Sequence, residues 1–337
     1  MKRVQAAVAA IAVGLGFSSA ASAACQLQQT AEFKLTVDGN HALVEGAING
    51  QPVQMEVDTG TSSTLLFPAA VQALGLKAFE MQELKAYGVG GGGTVVRTAI
   101  REFRLGDRTA HNINLLVSPT NPGSQRYAGL VGEDFLGQGD LELDFADNAA
   151  RLFKPKDCVG DEVAYWAKSY DVTPLVPTQS PSAVQVYVML NGQHILAEID
   201  SGASTSIITT GAALVAGVTP QSVGVRDVGP SEGLGPRPVQ TFVAVFPTFT
   251  IGDETIKNAK LGIADLFAAD TEVPLGFRLG VPVVNTPQML LGADFIRAHR
   301  IYIARSQGKV YFSYNGGPIF QGPQADATPA PKPSLRP

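Results

Sequence analysis

Two aspartates stand in copies of one short motif, Asp58-Thr59-Gly60-Thr61 and Asp200-Ser201-Gly202-Ala203. Each copy follows a short apolar stretch that ends in Glu-Val-Asp or Glu-Ile-Asp. Two carboxyl groups held within a few ångström of each other cannot both ionise at low cost, so they share a proton and act as an acid and a base. A water molecule between such groups can lose a proton to the ionised carboxylate while the protonated carboxyl polarises a peptide carbonyl. This arrangement would hydrolyse an amide without a covalent intermediate.

The residues that follow each aspartate suit a tight turn that presents the carboxylate. We expect Gly60 and Gly202 to supply the backbone freedom that the turn needs. We expect the hydroxyl groups of Thr59 and Ser201 to hydrogen-bond across the pair and to hold the two carboxylates in place.

The fourth position of the motif makes the two copies chemically different. Thr61 has a hydroxyl group, whereas Ala203 has none. We expect the Thr61 hydroxyl to donate to the Asp58 carboxylate and to favour its ionised form, which would leave Asp200 as the proton carrier.

The motif pair belongs to an internal duplication. Three blocks recur in one order: 44–75 aligns without a gap with 186–217, 103–109 with 249–255, and 129–136 with 289–296. The second copy carries small insertions between the blocks, where loops are expected. A repeated unit of this length predicts two pseudo-symmetric lobes.

Strand patterns dominate both copies, so the sequence predicts a mostly β protein. Short helices are expected only at 68–74, 132–136, 211–216 and 292–299. Asp140, Glu142, Asp144 and Asp147 could be read as a calcium loop, but their interleaving with Leu141, Leu143 and Phe145 favours the solvent-facing side of a strand.

Composition and spacing divide the chain into five parts. Residues 1–23 have the charged, apolar and small-residue regions of a cleavable signal peptide; the apolar run of about a dozen residues is short for a membrane anchor, and lipid attachment at Cys25 is the less favoured alternative. The lobes are expected at 28–155 and 180–315, with a linker at 156–179. Residues 316–337 are rich in proline and predict a disordered tail.

The predicted export leads to a periplasmic or secreted protein, in which Cys25 and Cys158 can pair as a disulfide. The four histidines lack metal-ligand spacing, so no metal or other cofactor is expected. The formal net charge of −5 argues against a nucleic-acid partner.

The chain resembles the aspartic proteases, because Asp58-Thr59-Gly60 and Asp200-Ser201-Gly202 match the two catalytic turns of that family. The apolar-apolar-Gly elements 130–132 and 290–292 match the segments that pack beneath those turns. The resemblance spans residues 30–315 and is nearest to a retropepsin-like bacterial enzyme with both lobes in one chain. It implies two β-barrel lobes, Asp58 and Asp200 as catalytic residues in the cleft between them, a polypeptide substrate, no cofactor and no membrane span, in a protein that acts as a monomer.

The resemblance also implies flaps, which are hairpins that close over the substrate. The glycine-rich stretch Tyr87, Gly88, Val89, Gly90 and Gly91 lies where the flap of the first lobe is expected, and glycine suits a mobile lid. A passive linker is the alternative for the glycines, and a plain strand residue is the alternative for Tyr87. A nucleotide-binding loop is disfavoured because Thr94-Val95-Val96, rather than a helix, follows the glycines.

The second lobe offers Gly229 and Pro230 at the equivalent place. The segment 265–288 has no counterpart in the first copy and is our candidate for substrate selectivity.

Two alternatives remain beside proteolysis by the aspartates. Serine catalysis at Ser201 is disfavoured, because Ile199 replaces the leading glycine of the trypsin-like motif and the other copy has Thr59 in its place. A periplasmic protein of this fold that binds peptides without cleaving them stays open. If the protein is a protease, a selective role in processing envelope proteins is our expectation.

Overall fold

The computed structural model of the protein describes residues 24–79, 85–122, 126–178, 183–267 and 286–320. The expected signal peptide at 1–23 lies outside this part, as do residues 321–337 of the expected tail. Within the described ranges, no helix is long and apolar enough to cross a membrane.

The first copy of the repeat folds into short helices among many strands. Its elements are β1 (Gln26–Asp38), β2 (His41–Ile48), β3 (Gln51–Val57), β4 (Leu65–Leu66), α1 (Pro68–Ala73), β5 (Ala78–Phe79), β6 (Lys85–Gly88), β7 (Gly91–Thr94), β8 (Val96–Leu105), β9 (Arg108–Val117), β10 (Gly129–Val131), α2 (Glu133–Leu136), β11 (Asp140–Asp144) and β12 (Ala149–Lys156).

The second copy repeats this order. After β13 (Asp171–Pro174) come β14 (Gln185–Leu190), β15 (Gln193–Ile199), β16 (Ile207–Thr209), α3 (Thr210–Val215), β17 (Arg226–Ser231), β18 (Val239–Ile251), β19 (Glu254–Ala264), β20 (Met289–Leu291), α4 (Ala293–Ile296), β21 (His299–Ala304), a 3₁₀ turn at Arg305–Gln307, and β22 (Lys309–Tyr314).

Each copy closes into a β-barrel, so the predicted mostly β fold with two barrel lobes is confirmed. In the first lobe the order is β2-β3-β10-β4-β9-β8, and β8 pairs back with β2. In the second lobe the order is β14-β15-β20-β16-β19-β18, and β18 pairs back with β14. The alternating apolar residues of these strands fill one continuous core.

One turn type opens the hairpin that leads to each aspartate. Asn49-Gly50 and Asn191-Gly192 both have positive φ at their two central residues, which is the turn that matches the twist of a two-residue hairpin. The Asn49 side chain also accepts the backbone N–H of Arg101 at 2.9 Å. The shared Asn-Gly-Gln triplet therefore sets the register of β2–β3 and of β14–β15.

A further sheet joins the two lobes. In the described chain its strand order is β13-β22-β21-β11-β12-β1, so β21 and β22 of the second copy add to β11 and β12 of the first. Leu141 to Asp144 pair antiparallel with Arg300 to Ile303. The expected linker 156–179 thus contributes β13 to this sheet instead of crossing between the lobes without regular structure.

The acidic residues of β11 were expected to face solvent, and this expectation is wrong. Asp140, Glu142 and Asp144 are each at most 1% exposed. They are buried because β11 is an inner strand of the shared sheet and because Arg151 and Arg300 cover it, with Glu142 Oε1 accepting from Arg151 at 2.7 Å and from Arg300 at 3.1 Å.

Two segment ends also differ from expectation. The helix expected at 292–299 is only α4, because His299 already begins β21. The tail expected to be disordered from 316 is packed at its start, since Phe320 is 1% exposed and contacts Phe249 with a ring-centroid distance of 4.9 Å.

The structure joins Cys25 and Cys158 in a disulfide. The bond ties the start of β1 to the segment after β12, and both cysteines lie in the cluster around Phe153 and Tyr302. The N-terminal end of the described chain is therefore anchored to the shared sheet.

Candidate active site

Each motif aspartate stands directly after a strand at the centre of its barrel. Asp58 follows β3 and Asp200 follows β15, and each strand pairs in parallel with the strand of its apolar-apolar-Gly element, β10 or β20. The backbone N–H of Asp58 donates to the Val131 carbonyl at 3.0 Å, and that of Asp200 donates to Leu291 at 3.0 Å. The pairing of parallel strands therefore fixes the start of both turns.

A reciprocal set of hydrogen bonds joins the two turns across the lobes. The Thr59 hydroxyl accepts the Ser201 N–H at 3.0 Å and donates to the Ile199 carbonyl at 2.7 Å. The Ser201 hydroxyl accepts the Thr59 N–H at 3.0 Å and donates to the Val57 carbonyl at 2.7 Å. Both residues are fully buried, so each hydroxyl satisfies backbone groups that water cannot reach.

The motif glycines serve close approach rather than backbone freedom, which corrects our explanation of their role. Neither Gly60 nor Gly202 has a positive φ. A Cβ atom at Gly60 would lie 2.4 Å from Cγ of Asp200, and one at Gly202 would lie 2.4 Å from Cγ of Asp58. Glycine is therefore required because the backbone of each turn faces the carboxyl group of the other lobe.

A second aspartate in each copy supports the turn from behind. Asp134 accepts the hydroxyl and the N–H of Thr64, and Asp294 accepts the hydroxyl and the N–H of Ser206. The hydroxyl of Ser206 in turn accepts the N–H of Gly292 at 2.9 Å, and that of Thr64 accepts the N–H of Gly132 at 3.0 Å. Burial raises the pKa of Asp294 to about 6.

The two motif carboxyls contact each other and share a proton unequally. Burial, followed by the negative charge of Asp200, raises the pKa of Asp58 well above its usual value. Burial also raises the pKa of Asp200, but the N–H groups of Gly202 and Ala203, each 3.0 Å from Oδ1, oppose this effect. Asp58 receives the single N–H of Gly60 at 2.8 Å. The larger number of N–H donors therefore favours the ionised form of Asp200 and the protonated form of Asp58.

This result overturns the expected role of Thr61. Its hydroxyl donates to the Ser63 carbonyl at 3.4 Å and not to Asp58. The asymmetry of the pair instead comes from the backbone, because Ala203 supplies an additional N–H donor to Asp200. Sequence alone could not show this, since both turns have a backbone N–H at that position.

The pair lies at the floor of a cleft of about 320 Å³ between the lobes. The walls are mainly apolar, with acidic groups near the floor. Residues of both copies line the cleft: His41, Glu56, Phe67, Tyr127 and Leu130 from the first, and Glu198, Ile207, Val239, Leu266 and Leu290 from the second.

Hairpin β6–β7 closes the cleft from the first lobe, where a flap was expected. Gly88 and Val89 line the cleft. Val89 and Gly90 form the turn between β6 and β7, and Gly90 and Gly91 have φ of 92° and 105°. The Tyr87 ring packs on Gly92, where a Cβ would lie 2.4 Å away, and not against the cleft. The structure thus places the glycine-rich stretch at the cleft and Tyr87 to its side.

The second lobe contributes the segment after β17. Gly229 and Pro230 themselves lie within β17 and do not line the cleft, whereas Ser231, Gly233 and Leu234 do. Hairpin β6–β7 and residues 231–235 are called the closing segments below. They contact each other above the aspartates at the floor of the cleft.

Backbone hydrogen bonds make this contact between the closing segments. Gly235 N–H donates to Val89 at 2.8 Å, and Arg237 N–H donates to Gly90 at 3.1 Å. The cleft is therefore covered from both lobes.

The candidate selectivity segment 265–288 is described only at its ends, and residues 268–285 lie outside the described chain. Leu266, Phe267 and Pro287 line the cleft. The described part of this segment is thus placed where a substrate side chain would contact it.

Sequence reasoning missed several residues of the site. Glu56 and Glu198 line the cleft beside the aspartates, and the shared Glu-Val-Asp and Glu-Ile-Asp triplets were the available signal. His41 and Tyr127 have no counterpart in the other copy of the repeat, so the sequence gave no signal for them. Among the described residues, no group of three or more His, Cys, Asp or Glu could hold a metal ion.

Comparison with known proteins gives a similar solved structure and a matching family model. The crystal structure of an aspartic proteinase from Irpex lacteus aligns with a TM-score of 0.48 at 14% sequence identity, over 90% of this chain and 99% of the other. A search of curated proteins gives no match. The model of a family described as aspartyl protease matches residues 44–135 and again 186–295, which also confirms the internal duplication. Since these matches cover more than half of its residues, the chain belongs to the aspartyl protease family.

Proposed function

We propose that the protein is an aspartic endopeptidase that hydrolyses peptide bonds in extended polypeptide segments. The observation that carries this proposal is the buried pair of Asp58 and Asp200, joined across the lobes by the Thr59 and Ser201 hydroxyls at the floor of a covered cleft. Such a network would be costly to retain in a protein that only binds peptides, because it orients two carboxyls toward each other in a poorly solvated site.

The proposed reaction uses the two carboxyls in opposite roles. Ionised Asp200 accepts a proton from a water molecule, and the water oxygen attacks the carbonyl carbon of the scissile bond. Asp58 donates its proton to the carbonyl oxygen. In the resulting diol, Asp58 takes a proton back from one hydroxyl while Asp200 donates its proton to the leaving nitrogen. The C–N bond then breaks, and the pair returns to its starting state.

An extended peptide suits the shape of the cleft. The closing segments β6–β7 and 231–235 present backbone groups and small side chains over the floor, so a strand could lie between them and the aspartates. Both aspartates belong to one chain, which supports action as a monomer. No cofactor is needed for this chemistry.

We also propose that the protein acts after export, in the periplasm or outside the cell. The disulfide between Cys25 and Cys158 supports this location, because such bonds persist in oxidising compartments. A selective role in processing envelope proteins is consistent with a cleft that is covered from both lobes.

The proposal is tested by incubating the purified protein with a diverse peptide mixture between about pH 3 and 8 and reading new termini by mass spectrometry. Asp58→Asn and Asp200→Asn should each lower cleavage by about 100-fold or more, because either change removes the acid or the base. Asp107→Asn, at an exposed turn, is the matched control and should cleave normally. Retention of peptides without any new termini would favour a binding protein over a protease.

A further inference from the structure

Glu56 occupies a position from which its charge acts directly on Asp58. The two residues are two positions apart at the end of β3, so their side chains leave the same face of the strand, about 7 Å apart along the chain. Both line the cleft, and Glu56 is 1% exposed. A carboxylate at this depth is poorly screened by solvent.

Two donors hold Glu56 in place. His41 Nδ1 lies 2.6 Å from Oε1, and the Tyr127 hydroxyl also hydrogen-bonds to the carboxylate. The Tyr127 ring packs against Phe67 with a centroid distance of 5.6 Å. These hydrogen bonds therefore compensate the burial of the Glu56 carboxylate.

The second lobe does not repeat this arrangement. Glu198 matches Glu56 in the duplication, yet Ala183 stands three residues before the aligned block, where the first copy has His41. Pro287 likewise replaces Tyr127, three residues before the apolar-apolar-Gly element. The His–Glu–Tyr group thus exists only beside Asp58, in the lobe whose aspartate holds the proton.

We propose that Glu56 is a positioning residue for the aspartate pair: its buried charge, held by His41 and Tyr127, keeps the shared proton on Asp58 as the pH approaches neutrality. This inference rests on the proposed function, in which Asp58 is the acid. The negative charge of Glu56 is among the causes that raise the pKa of Asp58, after burial and Asp200. It also acts on Asp200, where the backbone donors outweigh it.

His41 adjusts this effect with pH. Its hydrogen bond to Glu56 raises the pKa of the imidazole. While His41 is protonated, its positive charge partly cancels that of Glu56; as the pH rises through the raised pKa, the cancellation ends and Asp58 holds its proton more firmly. The other charged groups that face this cluster are Asp38, Arg126 and Asp200.

The test reads Asp58 directly, by ¹³C NMR titration of protein labelled at the aspartate carboxyl carbons, with the signal assigned through Asp58→Asn. Glu56→Gln should weaken the proton affinity of Asp58 about tenfold, as expected for removing a charge about 7 Å away that His41 partly cancels. His41→Gln keeps a donor to Glu56 but removes the positive charge, so it should strengthen the proton affinity of Asp58 at mildly acidic pH.

Glu254→Gln is the matched control, since it alters a second His–Glu pair, in which buried His299 lies 3.0 Å from Glu254, away from the cleft. It should leave the Asp58 titration unchanged. The inference is overturned if the proton affinity of Asp58 is the same in wild type and Glu56→Gln. It is also overturned if that affinity changes in the same direction in Glu56→Gln and His41→Gln.

The NMR titration does not require turnover, so it tests the role of Glu56 even if the peptide mixture is not cleaved. Absence of cleavage would count against the proposed function and not against this inference. If peptides are cleaved, the alkaline limb of the kcat/KM profile should move to lower pH in Glu56→Gln, because Asp58 then loses its proton earlier. A purely structural role of Glu56 would lower stability without moving that limb.

Discussion

Replacing Ser201 by alanine removes two of the four hydrogen bonds that join the aspartate turns. The Thr59 N–H loses its acceptor at 3.0 Å, and the Val57 carbonyl loses its donor at 2.7 Å, both in a region that water does not reach. A buried N–H without a partner costs about 1–3 kcal/mol, and the second bond contributes about 1 kcal/mol. We therefore expect Ser201→Ala to lower the free energy of unfolding by about 2–4 kcal/mol.

The assay is urea unfolding monitored by far-UV circular dichroism, with a thermal scan in which Tm should fall by roughly 5–10 °C. Thr59→Val removes the other two bonds and should cost a similar amount, because its hydroxyl bonds are distinct from those of Ser201. Thr250→Val is the matched control, since the Thr250 hydroxyl bonds to Thr255 at an exposed site. If Ser201→Ala and Thr59→Val were no more destabilising than Thr250→Val, the reasoning about buried bonds between the lobes would be refuted.

Three further predictions concern the turns, their support and the flap. Asp294→Asn should remove one pH dependence of stability. Because burial raises the folded pKa of Asp294 to about 6 from 3.8, the contribution of this carboxyl to stability is full below pH 3.8 and falls by up to about 3 kcal/mol as pH rises through 6, and urea unfolding of the variant should lack this slope. Gly60→Ala should lower kcat about 100-fold or more in the peptide assay, because the new Cβ displaces the Asp200 carboxyl. Gly90→Ala should raise KM and speed amide exchange in β6–β7, since its Cβ would lie 2.1 Å from the Arg237 carbonyl oxygen at a φ of 92°.

Each of these predictions has a control or a contrary result. Gly211→Ala, where nothing lies within 4 Å of the added Cβ, should leave activity unchanged. A Gly60→Ala enzyme of normal kcat would show that the turns do not approach as closely as described. An Asp294→Asn variant that kept the wild-type stability slope between pH 4 and 6 would assign that slope to another group. Unchanged amide exchange in Gly90→Ala would show that the contact of hairpin β6–β7 with the second lobe does not require glycine at position 90.

The duplication made much of the site predictable from sequence. Two copies of one motif located Asp58 and Asp200, and the repeated Gly-x-Asp-Phe segments already contained Asp134 and Asp294, although their support of the turns needed the structure. Local pattern also predicted a mostly β protein, because turn residues and alternating apolar residues act within a few residues of each other, whereas the barrels were expected from the family resemblance.

Features that depend on distant partners could not be predicted. The acids of β11 alternate as exposed residues do, but Glu142 and Asp144 pair with Arg300, which is 158 positions from Glu142. The difference between the two carboxyls depends on backbone donors to Asp200 whose directions a sequence does not show. His41 reaches Glu56 through the fold alone, since nothing near His41 in the sequence indicates a partner 15 positions away.

The sheet shared by the lobes bears on the order in which the protein can mature. Strand β22 lies between β13 and β21, so β13 has no partner on that side until the ribosome has made residues 309–314. A growing chain that ends before residue 299 holds both aspartates but lacks β21 and β22, which add the second copy to the sheet of the first. The shared sheet is thus completed only by β22, the last strand of the described residues, and a product truncated before β21 would carry both motifs without the strands that join the lobes.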